Sequence, residues 1–198
     1  MLVIAGAGSG KTRALTHRIA YLIREKGVQP QNILAVTFTN KAAAEMLDRI
    51  ERLLSGMNLS VMPVIGTFHS VCVRILRKHI HELDYENSFV IYDSTDQQIL
   101  VKRIMKNLEI DPKEFNPRAI LSVISSAKNK MLKPAEFEIQ ATDYFSTKAA
   151  RIYRHYQDEL KKNNALDFDD IIMKTVELMQ LKPKILDLYQ EKFQYINV

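Results

Sequence analysis

Short apolar runs alternate along this chain with longer stretches in which apolar residues recur every three or four positions. That alternation predicts an α/β protein. Leu2-Val3-Ile4 is a compact apolar run that stops at a glycine-rich turn, the pattern of a strand buried on both faces. A helix is expected from about Lys11, with Leu15, Ile19, Leu22 and Ile23 on one side, ending at Gly27 and Pro30. The unit then repeats. Ile33–Val36 reads as a second strand, and a helix follows from about Lys41 with Ala43, Met46, Leu47, Ile50 and Leu54 at helical spacing. Val61–Ile65 reads as a third strand, followed by Gly66 and a helix with Phe68, Val71, Cys72, Ile75 and Leu76 on one side. Phe89–Tyr92 reads as a fourth strand. Strand and helix in turn, at this spacing, predict right-handed crossovers and a parallel sheet.

The rhythm changes after Asp93. Residues 94–165 carry helical periodicity throughout. One helix is expected around Ile99, Leu100, Ile104, Met105 and Leu108, and a second around Ile120, Val123 and Ile124. A third is expected around Ala149, Ile152, Tyr153, Tyr156 and Leu160, with Pro112, Pro117 and Pro134 as punctuation. The expected organisation is therefore a sheet domain over 1–93 and 166–198, interrupted by an all-α insert over 94–165. The closing stretch Phe193–Val198 reads as a further strand.

Charge and composition narrow the partners. The net charge is +5 with a pI near 9.2, which favours an anionic partner on a folded surface, because no segment forms a basic tail. No run approaches the ~20 apolar residues of a membrane helix. The N-terminus lacks the basic start of a secretory signal. Cys72 is the single cysteine, so no internal disulfide exists and a cytoplasmic, reducing setting is expected.

The chemistry is concentrated at Ala5-Gly6-Ala7-Gly8-Ser9-Gly10-Lys11-Thr12. This matches the phosphate-loop pattern with Ala at the first glycine position. Phosphate oxygens need many N–H donors at close range, so the loop must be nearly free of side chains. Gly6, Gly8 and Gly10 allow the required backbone angles. The helix beginning at Lys11 aims its positive end at the same place. Lys11 is expected on the β- and γ-phosphates of ATP, and the Thr12 hydroxyl on Mg²⁺.

Four further blocks stand in register with the loop: Val36-Thr-Phe-Thr-Asn-Lys-Ala-Ala-Ala-Glu-Met46, Gly66-Thr-Phe-His-Ser70, Phe89-Val-Ile-Tyr-Asp93 and Leu166-Asp-Phe-Asp-Asp-Ile-Ile172. Together they resemble the superfamily 1 DNA helicases of the UvrD, PcrA and Rep type, over essentially the whole chain. The resemblance implies a RecA-like first motor domain with a helical insert. It also implies ATP-driven 3′-to-5′ translocation on single-stranded DNA, at duplex junctions. By the same resemblance, Phe38 stacks on bases, Thr39, Asn40 and Lys41 meet phosphates at a helix start, and Thr67 and His69 contact the strand.

Simpler roles stand beside these. Phe38 could be core at a strand end, Thr67 a helix cap, and His69 a structural histidine. Asp167, Asp169 and Asp170 are read as helix N-terminal charges with internal hydrogen bonds, in preference to a Mg²⁺ role. Lys128, Lys130 and Lys133 are weighed as phosphate contacts, the bland alternative being solvated lysines. The family pattern also has a glutamine-bearing segment before the first strand and an Asp-Glu pair after the last. Neither is among these 198 residues, so the chain alone is expected to bind nucleotide poorly and to hydrolyse it very slowly. Competing readings are the front of a helicase–nuclease subunit, a small nucleotide kinase, and a non-catalytic module that binds single-stranded DNA.

Overall fold

The computed structural model describes residues 10–57 and 59–198. The strand expected at 2–4 and loop residues Ala5–Ser9 lie outside them. The chain divides into two compact units, Met1–Val71 with Pro183–Val198, and Cys72–Lys182. The helical stretch expected at 94–165 falls inside the second, whose limits are wider.

In the first unit, helix α1 spans Lys11–Arg24, strand β1 Ile33–Thr37, and helix α2 Asn40–Leu53. Strand β2 covers Val64–Thr67, helix α3 begins at Phe68 and runs to His79, α9 covers Pro183–Lys192, and β5 covers Tyr195–Asn197. The sheet order is β2-β1-β5, and both pairings are parallel. Central β1 buries Ile33, Leu34, Ala35 and Val36 consecutively, as a parallel strand covered on both faces must. Ile19, Ala20 and Ile23 of α1 and Met46 and Ile50 of α2 close over Ile33 and Ala35. Ile19, Ile23, Met46 and Ile50 are positions that the helical periodicity selects; Ala20 is an addition of the structure.

The third strand differs from expectation. The apolar run predicts 61–65, yet the strand is Val64–Thr67, and Val61 is 48% exposed. Pairing decides this: Leu34, Ala35, Val36 and Thr37 stand opposite Val64, Ile65, Gly66 and Thr67. Gly66 therefore lies within the strand rather than ending it.

In the second unit, β3 (Val90–Ile91) is followed by helices α4 (Ser94–Asn107), α5 (Pro117–Asn129), α6 (Pro134–Gln140) and α7 (Tyr144–Lys162). Strand β4 (Ala165–Leu166) and helix α8 (Phe168–Leu181) complete it. The strand expected at 89–92 is thus only two residues long and pairs with β4, in a two-stranded parallel ladder of its own. It ends where Asp93 turns to cap α4, its carboxylate accepting the N–H groups of Thr95 and Asp96. Tyr153 and Tyr156 of α7 are fully buried at the centre of this unit, packed with Leu100, Ile104 and Met105 of α4 and Ile120 and Ile124 of α5. Ile99, expected on the buried side of α4, is 62% exposed; Val101 is buried instead. Among the described residues no helix is long and apolar enough to cross a membrane.

Candidate nucleotide and nucleic-acid site

Three features of the first unit hold the candidate site residues. The first is the start of α1. Gly10 sits at φ 85°, a left-handed angle that L side chains rarely adopt, and its carbonyl accepts the N–H of Ala14. Lys11 and Thr12 follow on the exposed first turn, which carries no acidic side chain. A helix start of this kind presents backbone N–H groups and a positive dipole end to an anion. The described part of the loop, Gly10 to Thr12, is chemically compatible with a phosphate group at this helix start.

The second feature is the end of β1. Phe38 leaves the strand with 84% of its surface exposed, so it is not core. The next residue, Thr39, is extended (φ −125°, ψ 146°) and caps α2, its Oγ1 accepting the N–H of Ala42 at 3.1 Å. Asn40 and Lys41 are exposed on the first turn of α2.

The third is the end of β2. Thr67 is buried, and its Oγ1 accepts the N–H of Ser70 at 3.2 Å, while the Ser70 hydroxyl donates back to the Thr67 carbonyl at 2.9 Å. Thr67 is thus a cap, as its residue type allows. His69 is half-buried on the first turn of α3. No acidic residue stands in the first turn of α2 or α3. Because Thr37 and Thr67 are register partners, the residues that follow them meet, and the rings of Phe38 and Phe68 lie 5.5 Å apart, tilted by 43°.

The family described as UvrD/REP helicase N-terminal domain matches residues 1–198. The chain belongs to this family. It is 50% identical to the ATP-dependent DNA helicase PcrA of Staphylococcus aureus over 198 residues, all of this chain and 27% of that protein. It is 52% identical to the ATP-dependent DNA helicase PcrA of Bacillus subtilis over 198 residues, all of this chain and 26% of that protein. The PcrA of Staphylococcus epidermidis is 50% identical over the same span. The chain therefore spans about a quarter of the length of these relatives.

In the structure Thr37 and Thr67 are register partners; Phe38, Thr39, Asn40 and Lys41 follow one strand end, and Thr67 and His69 stand at and after the other. Lys11 and Thr12 begin the separate helix α1. Ala5, Gly6, Ala7, Gly8 and Ser9 lie outside the described residues. Sequence reasoning placed Phe68 on the apolar side of its helix and gave it no role in the site. The signal was present nonetheless: the dipeptide Thr-Phe occurs at 37–38 and again at 67–68, each time at a strand-to-helix turn.

The second unit supplies a correction. Lys128, weighed above as a phosphate contact, has no side-chain exposure. Its Nζ lies 2.7 Å from Asp167 Oδ2 and 2.9 Å from Asp170 Oδ1. The Tyr156 hydroxyl donates to Asp167 at 2.9 Å, and Gln157 Nε2 donates to Asp170 at 3.0 Å. Asp167 caps α8 by accepting the N–H of Asp170 at 2.8 Å. Burial pushes the Asp170 carboxyl above the usual carboxylate range, with Lys128 pulling the other way. Burial and the Asp167 charge raise the Tyr156 hydroxyl. Asp167 and Asp170 therefore serve as cap and ion-pair partners. Lys133 is likewise engaged, by Glu177 at 2.6 Å.

Proposed function

We propose that this chain is the ATP-binding front part of an ATP-dependent motor that moves 3′ to 5′ along single-stranded DNA and acts at duplex junctions. In this reading residues 1–93 and 166–198 form a RecA-like motor domain, and 94–165 its helical insert. Ala5–Thr12 cradle the phosphates, Lys11 neutralises charge on the β- and γ-phosphates, and Thr12 holds Mg²⁺. That ion would supply positive charge against the phosphate oxygens. Thr39, Asn40 and Lys41 meet strand phosphates at the start of α2, and Thr67 and His69 do so at the start of α3.

The observation that carries the reading is Phe38. Leaving a phenylalanine 84% exposed forfeits the burial that such a side chain normally gains. A ring held in water at a strand end, between two helix starts without acidic residues, suits base stacking, which tolerates any sequence. Stacking contributes roughly 1–3 kcal/mol per base, so Phe38→Ala should weaken oligo-dT binding by about 5- to 150-fold. Lys11→Ala should abolish binding of a fluorescent ATP analogue while leaving oligo-dT binding in place. Wild-type oligo-dT affinity in Phe38→Ala would overturn the stacking role, and unchanged analogue binding in Lys11→Ala would overturn the phosphate role.

A further inference from the structure

We propose that Phe68 is a positioning residue, whose ring holds Phe38 in the orientation that receives a base. The inference rests on the stacking role proposed for Phe38 and adds a second side chain to it.

The geometry begins with register. Thr37 and Thr67 are partners on adjacent parallel strands, and each is followed by a phenylalanine. The two strands then lead into separate helices, so Phe38 and Phe68 occupy equivalent places at one end of the ladder. They differ in support. Phe68 is half-buried and is the first residue of α3, with its backbone held by the Thr67–Ser70 cap. Phe38 is almost wholly in water and precedes α2 by two residues. An exposed side chain without neighbours samples several rotamers, and fixing it on binding costs free energy each time. The Phe68 ring, 5.5 Å away and tilted by 43°, lies within the range of favourable aromatic contacts. It restricts Phe38 from one side, and the 84% exposure leaves the other side open to a base. Two phenylalanines in a strand-end pair thus form a prepared surface, where one alone would have to be ordered by the ligand.

A contact of this kind also has a purely structural reading, in which the rings merely stabilise the sheet end. The two differ in what a bound base experiences. The test uses the 198-residue chain and an oligo-dT carrying one 2-aminopurine, whose fluorescence falls on stacking, read at saturating protein. Saturation removes affinity from the comparison, and urea unfolding of each variant reports stability separately. Phe68→Leu should weaken binding by roughly 2- to 12-fold, the range of an aromatic pair, and should leave less than about half of the wild-type quench at saturation. Phe68→Tyr, which keeps the ring, should restore both. If Phe68→Leu does not fold, Phe68→Met is read in its place, with the same expectation.

Wild-type quench in Phe68→Leu or Phe68→Met, whatever the loss of stability, would overturn the proposal. So would an equal loss of quench in Phe68→Tyr, since the ring would then not be what matters. Phe38→Ala separates this idea from the one beneath it. Quench lost in Phe38→Ala but kept in Phe68→Leu defeats the positioning role alone, whereas quench kept in Phe38→Ala defeats the stacking role and the positioning role with it.

Discussion

Lys128→Met should destabilise the chain severely, and more at neutral pH than in mild acid. The Lys128 side chain is fully buried and bonds two buried carboxylates, Asp167 at 2.7 Å and Asp170 at 2.9 Å. Methionine keeps most of the apolar stem, so little cavity opens and the change is mainly electrical. Removing one partner of a buried ion pair leaves an uncompensated charge, which costs about 3–5 kcal/mol. A domain of this size has a total stability of roughly 5–15 kcal/mol, so the loss is a large fraction of it. With a urea dependence of roughly 2 kcal/mol per molar, the midpoint should fall by about 2 M. Burial already raises the Asp170 carboxyl, and Lys128 opposes that rise. Without the cation the rise is unopposed, and folded Asp170 binds its proton more tightly still than in the wild type. Folding takes up a proton, so the variant gains stability as pH falls from the raised value toward the ordinary carboxylate range. The gap to the wild type should therefore narrow between neutral pH and about pH 5. Urea unfolding followed by circular dichroism at both pH values is the assay. A midpoint shift under about 0.5 M at neutral pH, or one that is the same at both pH values, would refute the account of a buried charged cluster.

Other residues give smaller, separable effects. Tyr156→Phe removes one donor to the buried Asp167 carboxylate and should cost about 1.5–3 kcal/mol in the same unfolding assay. Thr39→Ala and Thr67→Ala each remove a helix cap and should cost about 1 kcal/mol, whereas Thr→Ser at either position should be close to neutral. Burial raises the Cys72 thiol, so its alkylation at pH 8 should be much slower in the folded chain than in urea; equal rates would contradict the burial.

How far the residues foretold the structure varies by element. In α7 the spacing of Ala149, Ile152, Tyr153, Tyr156 and Leu160 selects the buried face, and all five are buried. A long amphipathic helix has one solution for its apolar side. The shorter elements were less legible. The run 61–65 and the strand 64–67 overlap by two residues, because a parallel edge is placed by its neighbour's hydrogen bonds rather than by its own hydrophobicity. Val90–Ile91 looks locally like any buried strand, and its partner lies 75 residues away at Ala165–Leu166. Lys128 looks locally like any surface lysine. Only the approach of α8's first turn shows that its charge is spent inside. Phe68 sits in a visible block, yet its value lies in a neighbour 30 residues back.

Taken alone, then, the sequence determined the α/β alternation, the long helical stretch, the phosphate-loop pattern and the family. These rest on periodicity and on short contiguous motifs, which are properties of neighbours in the chain. Tertiary structure decided which strands pair, which lysine is buried, and which two phenylalanines meet. Those outcomes depend on residues 30 to 162 positions apart being brought into contact, and no local pattern encodes that approach.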